Sequence, residues 1–150
     1  MFWWREFMSD IQSKLLMGTK YIEKIQRSNR IMFNGLKPSQ LPSDSGVYII
    51  KDKIDDTVLY VGRTLNLQRR IYTNHLQGNL STARLKKYLI EDPSRNEVID
   101  LKSAKEFLKK RCYVQFIIVQ DNHKIRGKLE CLFTFAFDAY YVEPERGKRN

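Results

Sequence analysis

The sequence has few of the features that mark secreted or membrane-spanning proteins. Only two cysteines, Cys112 and Cys131, occur among its 150 residues, and their spacing matches no metal site. Each lies in an apolar run, so we expect buried free thiols and a cytoplasmic location. No run of about 18 apolar residues occurs, so we expect no membrane span. The apolar start, Phe2–Trp4, is followed at once by charged residues, which is the wrong order for a secretory signal.

Acidic residues are missing from the middle of the chain. None occurs from Thr57 to Ile90, and the whole chain carries a net charge of +10. A field of one sign attracts polyanions through counter-ion release, so this stretch predicts a nucleic-acid-binding surface. Simple solubility is the alternative, but solubility does not require the exclusion of acidic residues. The basic residues of the stretch are Arg63, Arg69, Arg70, Arg84, Lys86 and Lys87.

Two short strings of glycine and tyrosine flank a predicted hairpin. Residues 46–48 read Gly-Val-Tyr at the start of one strand-like run, and residues 60–62 read Tyr-Val-Gly in the next. Because side chains alternate along a strand, Tyr48 and Tyr60 are expected on one face, each with a glycine beside it. Such a glycine lets a ligand backbone come close. The alternative is a buried hairpin whose tyrosines only pack.

The same alternation sorts the remaining residues of the hairpin. Ile50 and Val58 are expected on the face of the two tyrosines. The opposite, apolar face is expected to consist of Val47, Ile49, Leu59 and Val61.

A basic helix is predicted directly after the second string. Asn66 is a natural N-cap, and Leu67 and Ile71 form an inward stripe. Arg70 lies at the edge of that stripe, where a guanidinium can extend over apolar neighbours into a cleft. Arg69 is the adjacent rival, and the helical register alone does not exclude it. A solvated surface arginine is the alternative for either residue.

A carboxylate interrupts the last predicted helix, about residues 124–142. Most faces of this helix are apolar, and a buried carboxylate such as Glu130 must be paired or bind a metal. The alternative is a thin polar stripe facing water, formed by Glu130, Thr134 and Asp138 at four-residue steps. Arg126 lies four residues before Glu130 and is a possible ion-pair partner.

Residues 46 to about 143 resemble the GIY-YIG nuclease superfamily. The resemblance rests on the two strings, on Arg70 in the helix that follows and on the late Glu130. It implies a metal-dependent endonuclease that hydrolyses DNA phosphodiester bonds with one Mg²⁺ or Mn²⁺ ion. It assigns the role of general base to Tyr60 or Tyr48, the phosphate clamp to Arg70 and the metal ligand to Glu130.

Two further residues join the candidate catalytic set. Arg63 directly follows the second string and is placed to assist either tyrosine. His75, one turn beyond Arg70, is a candidate proton relay, and a packing role for it is an equal alternative. Superfamily members follow the glutamate with a proline and an asparagine, whereas here Glu145 follows Pro144.

This departure leaves other functions open. The alternative is a non-catalytic nucleic-acid-binding module derived from a nuclease fold. A third possibility is an interaction domain for an acidic protein, with Phe2–Trp4 as its anchor. Co-location discriminates between them, because a nuclease needs its tyrosines, Arg70 and Glu130 around one cleft, while a binding module needs only the charge.

The predicted fold is α+β. It consists of a small three-stranded, mainly antiparallel sheet flanked by helices, with an added N-terminal helix over residues 9 to about 30. The proposed boundaries are a helical extension and connector at 1–45, a nuclease-like domain at 46–143 and a basic tail at 144–150. Duplex or branched DNA is the expected substrate, with a possible targeting protein. The sequence does not indicate an oligomeric state.

A short basic helix capped by Ser81 is predicted next to the hairpin motif. Lys86 and Lys87 are expected to point outward from it and to contact phosphates without reading sequence. Arg69 and Arg84 are expected to join this nucleic-acid-binding surface.

Overall fold

A computed structural model describes residues 2–120 and 122–145 of the chain. The basic tail predicted at 144–150 lies outside these ranges from residue 146 onward. None of the helices in these ranges combines the length and apolar character that a membrane span requires.

The molecule is an α+β structure built on an antiparallel sheet, as predicted. The sheet has four strands in the order β1-β4-β2-β3 rather than three. The additional strand is only two residues long and pairs Ile31 with Val114, so it produces no periodic sequence signal. The strands are β1 (Ile31–Met32), β2 (Gly46–Asp52), β3 (Val58–Thr64) and β4 (Cys112–Ile118). The helices are α1 (Phe2–Arg27), a π-helix (Arg69–Gln77), α2 (Arg84–Glu91), α3 (Leu101–Arg111) and α4 (His123–Ala136).

Strand β2 is the centre of the core, and every one of its residues is buried. Tyr48 and Ile50 on one face pack in an apolar cluster with the π-helix, α2 and α3. Val47 and Ile49 on the other face pack with the end of α1 and with α4. Helices therefore cover both faces of the sheet, which explains why β2 has no polar face.

A β-bulge moves the first residues of β3 from their predicted faces. The register shifts between Ile50 and Lys51, so Leu59 has no partner in β2. Leu59 packs in the same cluster as Tyr60, whereas Val58 packs in the cluster on the opposite face. Both predictions for Leu59 and Val58 were wrong, because strict alternation assumes an uninterrupted ladder.

Helix α1 is longer than predicted and only partly packed. It begins at Phe2 rather than at residue 9, and Ile25 is its one buried residue. The aromatic residues at its start are exposed, and Trp3 stacks on Phe7 with ring centroids 5.6 Å apart.

Helix α4 is shorter and more exposed than its apolar composition suggests. It ends at Ala136, and Phe135 is 88 % exposed. Asp138 then adopts a left-handed conformation with φ of 50°, which turns the chain out of the helix. Cys131 on this helix is exposed, so the expectation of two buried thiols holds for Cys112 only.

Of the two predicted N-terminal caps, one is absent and the other is present. Ala83 precedes α2 and makes no side-chain cap, so the prediction that Ser81 caps this helix was wrong. By contrast, the side chain of Asn66 accepts a hydrogen bond from the backbone N–H of Arg69 at 2.8 Å, as an N-cap does.

Candidate active site

A cleft of about 960 Å³ lies between β3, the loop before α2 and one side of α4. Among the predicted site residues, it is lined by Tyr48, Tyr60, Arg63, Arg70, Arg84 and Glu130. Five elements of the fold supply these side chains, so the fold brings together most of the residues selected from the sequence.

Tyr48 forms the back of the cleft, and Gly62 makes room for its ring. A Cβ built on Gly62 would lie 2.4 Å from the Tyr48 hydroxyl oxygen, so a larger residue would displace the ring. At Gly46 the equivalent Cβ would lie 2.2 Å from the Ile117 carbonyl oxygen of β4. The glycines were expected to admit a ligand. Instead, Gly46 leaves room for the neighbouring strand β4, and Gly62 leaves room for the ring of Tyr48.

The hydroxyl of Tyr48 is hydrogen-bonded to His75. The oxygen lies 2.7 Å from His75 Nε2, and both residues are buried. Burial, together with nearby Lys86 and Arg70, lowers the pKa of His75 to about 3, so the imidazole is neutral at physiological pH. His75 Nδ1 has no hydrogen-bond partner among the described residues. Burial also raises the pKa of Tyr48 well above its usual value.

The π-helix explains why His75 and Arg70 lie on one side of the same helix. Arg70 lines the cleft, whereas His75 is buried, is bonded to Tyr48 and does not line it. Residues five apart in an α-helix point about 140° away from each other, because each residue advances the helix by about 100°. A helix with i→i+5 hydrogen bonds stacks such residues on one side. Arg70 and His75 are five apart and lie in this helix, Arg69–Gln77. The sequence pattern predicted an α-helix here and did not indicate this geometry.

Lys86 secures the end of the π-helix from within the protein. Its Nζ donates hydrogen bonds to the carbonyl oxygens of Asn74, His75 and Gly78 at 2.8, 2.6 and 2.8 Å. The side chain is fully buried, and burial lowers its pKa to about 8. The prediction that Lys86 points outward was therefore wrong, because the carbonyls at the end of the π-helix attract the ammonium inward.

Lys87 keeps its predicted outward position. Its side chain is exposed, and its Nζ lies 3.8 Å from a carboxylate oxygen of Glu91. Adjacent positions on a helix point in different directions, so one lysine of the pair faces the core and the other faces solvent.

Tyr60 is the more accessible tyrosine of the pair. It is half-buried at the wall of the cleft, with its ring centroid 6.3 Å from that of Tyr48. Burial raises the pKa of its hydroxyl, and the positive charge of Arg70 opposes that rise.

Arg70, rather than Arg69, reaches the cleft. One of its terminal nitrogens donates to the Thr82 carbonyl oxygen at 3.4 Å, while its Nε is buried without a partner among the described residues. Arg70 therefore has a hydrogen-bond donor that the described residues leave free. Arg69 is exposed and does not line the cleft.

Glu130 faces the cleft from α4, with Arg63 beside it. The Arg63 Nε lies 4.0 Å from Glu130 Oε2, and the carboxylate is partly buried. Burial raises the pKa of Glu130, and Arg63 partly offsets this effect. Arg126 is not its partner, because the Arg126 guanidinium donates to the Val119 carbonyl oxygen at 2.9 Å instead.

Gly127 is a positioning residue that the sequence analysis missed. A Cβ at this position would lie 2.3 Å from an Arg63 terminal nitrogen, so the absence of a side chain lets Arg63 lie across α4. The same nitrogen donates to the His123 carbonyl oxygen at 3.3 Å. A glycine within a predicted helix was the available signal, because glycine there costs about 1 kcal/mol relative to alanine.

The polar residues predicted to form a stripe facing water line the cleft, and the last of them, Asp138, lies just beyond the end of α4. Thr134 and Asp138 line the cleft together with Glu130.

No group of three or more His, Cys, Asp and Glu side chains able to hold a metal occurs within residues 2–120 and 122–145. A single carboxylate beside an open cleft fits Mg²⁺ or Mn²⁺, since Mg²⁺ usually keeps several waters and takes few protein ligands.

A second cleft carboxylate also escaped the sequence analysis. Glu143 lines the cleft and forms an ion pair with Arg84, the first residue of α2. Its position directly before Pro144 was the only signal. That is the region in which the resemblance leads one to look for an asparagine.

A family comparison and a structure comparison each gave a match. The profile of the GIY-YIG catalytic domain matches residues 44–122, which is more than half of the chain. Among curated proteins, no sequence matches the chain. The chain is similar in structure to the GIY-YIG N-terminal endonuclease domain of UvrC from Thermotoga maritima, a point mutant bound to its catalytic divalent cation. That similarity has 22 % identity and a TM-score of 0.40, and it covers 72 % of this chain and 92 % of that one. By the match to the profile, the chain belongs to the GIY-YIG catalytic domain family.

Proposed function

We propose that this protein is a metal-dependent endonuclease that hydrolyses DNA phosphodiester bonds in the cleft. The observation that carries the proposal is the convergence of Tyr60, Arg70 and Glu130, from three different elements, on one cleft. Hydrolysis needs a base, a stabiliser of phosphate charge and a metal ligand within reach of the same phosphate. Membership of the GIY-YIG catalytic domain family supports nuclease chemistry in general.

Tyr60 is the better candidate for the general base. Its hydroxyl lies at the cleft wall, whereas the Tyr48 hydroxyl is buried and already bonded to His75. Burial raises the pKa of both tyrosines, so removal of a proton from Tyr60 needs positive charge nearby, and Arg70 provides some of it. We assign Tyr48 and His75, which are hydrogen-bonded to each other, to orienting the site.

Arg70 is the proposed clamp for the non-bridging phosphate oxygens. A guanidinium binds two oxygens of one phosphate in a planar, charge-assisted pair of hydrogen bonds. The position of Arg70 in the lining of the cleft supports this role, because a phosphate bound there would lie beside its guanidinium. Arg63 is placed beside Glu130 and contributes a second positive charge next to the reacting group.

Glu130 is the proposed ligand of one Mg²⁺ or Mn²⁺ ion. Its side chain is about one-third exposed toward the cleft, so an ion with its waters has access to the carboxylate. When bound, such an ion supplies Lewis-acid stabilisation of charge on the phosphate and on the leaving oxygen.

The outer surface and the rim of the cleft provide the proposed binding energy for DNA. The exposed side chains of Arg69, Arg84 and Lys87 belong to the stretch without acidic residues. Such contacts position a duplex or branched substrate without reading its sequence. A targeting protein partner and a cytoplasmic location remain part of the proposal.

Replacement of each tyrosine by phenylalanine tests the assignment of roles. Tyr60→Phe is expected to lower the rate of plasmid nicking in Mg²⁺ by at least about 100-fold, the typical contribution of a general base. Tyr48→Phe retains the ring against Gly62 and is expected to lower the rate less. Binding of the plasmid should be unchanged in both variants. Nicking by Tyr60→Phe at the wild-type rate would refute the assignment.

The same assay separates the two candidate functions. Wild-type protein that binds DNA but nicks no plasmid in Mg²⁺ or Mn²⁺ would identify a non-catalytic binding module. In that case the basic surface is functional and the cleft is not.

A further inference from the structure

The rim of the cleft holds an ion pair that the proposed reaction does not use. Arg84 begins α2, and its guanidinium contacts the carboxylate of Glu143, which follows α4 by a short segment. Each side chain of the pair is about half exposed, at 52 % and 54 %. Arg84 is therefore a cleft cation whose present ligand is an acidic group of the same chain.

The segment that carries Glu143 is anchored next to the cleft. The backbone N–H groups of Tyr140 and Tyr141 donate to the carbonyl oxygens of Val58 and Leu59 at 2.9 and 3.0 Å, which fixes the segment along the edge of β3. The Tyr141 hydroxyl also donates to an Asp92 carboxylate oxygen at 2.7 Å. Glu143 lies only two residues beyond this anchor, so its carboxylate is held within reach of Arg84.

We propose that Glu143 competes with a substrate phosphate for Arg84. In the free protein the Glu143 carboxylate is paired with the Arg84 guanidinium. When nucleic acid binds, a backbone phosphate takes the place of the carboxylate. This inference rests on the proposed function, because it concerns a phosphate next to the one that is cleaved. It assigns to Glu143 the role of limiting affinity for DNA.

Arg84 makes the same kind of hydrogen bonds before and after the exchange. A carboxylate and a phosphodiester each present two anionic oxygens to the same planar donor, so Arg84 keeps an equivalent set of hydrogen bonds. An exposed ion pair contributes little stability, so a ligand can displace the carboxylate readily. The polyanion also repels the released Glu143, which favours the displacement.

The opposite role makes a different prediction. If Glu143 instead holds Arg84 in the orientation that phosphate requires, removal of its charge would loosen Arg84 and weaken binding. The direction of the change in affinity therefore decides between competition and orientation.

A double-mutant cycle in a binding assay tests the proposal. Fluorescence anisotropy with a short duplex in EDTA measures affinity without cleavage for wild type, Glu143→Gln, Arg84→Ala and the double variant. Asp138→Asn is the matched control, because it removes one negative charge from the same cleft without touching Arg84. Both members of the pair are exposed, so the variants are expected to fold.

Glu143→Gln is expected to tighten binding about two- to fivefold beyond the effect of Asp138→Asn, the range that an exposed ion pair provides. This gain should vanish in the Arg84→Ala background. A gain that equals the control, persists without Arg84 or changes to a loss would refute competition. Absence of any DNA binding by wild type would contradict the proposed function as well, whereas binding without coupling contradicts the Glu143 proposal only.

Discussion

Two adjacent lysines allow a sharp test of the structure. Lys86 is fully buried against the end of the π-helix, and Lys87 is exposed on the same helix. From the sequence both appear equivalent, since each is a basic residue next to the tyrosine motif. We therefore consider replacement of each by methionine, which has a similar length and no charge.

The expected cost of Lys86→Met follows from its three hydrogen bonds. The carbonyl oxygen of Asn74 also accepts a hydrogen bond from Thr82 at 3.3 Å, so it retains a partner. The carbonyl oxygens of His75 and Gly78 lose the ammonium donor. Each buried group left without a partner costs about 1–3 kcal/mol, and the relief from burying a charge offsets part of this. We expect a net destabilisation of about 2 kcal/mol.

Urea denaturation and DNA binding measured over a range of salt concentrations distinguish the two lysines. Lys86→Met should lower the free energy of unfolding and leave the salt dependence of DNA binding unchanged. Lys87→Met should change stability by no more than about 0.5 kcal/mol and flatten the salt slope by up to about one unit. Wild-type stability in Lys86→Met, or a flattened salt slope in that variant alone, would refute the buried position of this lysine.

Two further predictions concern positioning and pH. Gly127→Ala should retain or slightly increase stability, by up to about 1 kcal/mol, because alanine favours the helix. It should nevertheless slow plasmid nicking, since the new Cβ displaces the Arg63 guanidinium, and an unchanged rate would show that Arg63 is dispensable. Wild-type stability should fall by about 2 kcal/mol more than that of His75→Gln between pH 7 and pH 5, because only the unfolded chain protonates His75 in this range. If urea denaturation shows the same loss of stability between pH 7 and pH 5 in wild type and in His75→Gln, His75 is not buried in its neutral form.

The hairpin and its motifs could be predicted because local signals agree there. Alternation placed Tyr48 and Tyr60 on one face, as the structure has them, and Arg70 rather than Arg69 lines the cleft. Where an element departs from its ideal period, the predictions were wrong. The bulge at Leu59 placed Val58 and Leu59 on the faces opposite to those predicted. No residue near it indicates a break in the ladder.

The remaining differences depend on contacts between distant parts of the chain. Nothing local shows that Lys86 turns toward the carbonyls of the π-helix, because that choice depends on how α2 packs. The placement of Arg63 over Gly127 joins residues of β3 and α4. Glu143 reaches Arg84 only because the segment after α4 returns along β3. Sequence patterns describe single elements, whereas these positions are set by tertiary packing.

We propose that a metal held by Glu130 serves hydrolysis of DNA in this cleft. The most direct measurement is plasmid nicking by wild type and Glu130→Gln in Mg²⁺, in Mn²⁺ and in EDTA, with DNA binding measured in parallel. We predict nicking by wild type in either metal, none in EDTA and none by Glu130→Gln, because its amide lacks the charge that anchors the ion. DNA binding should change little in the variant. Nicking by Glu130→Gln at the wild-type rate in Mg²⁺ would contradict the account.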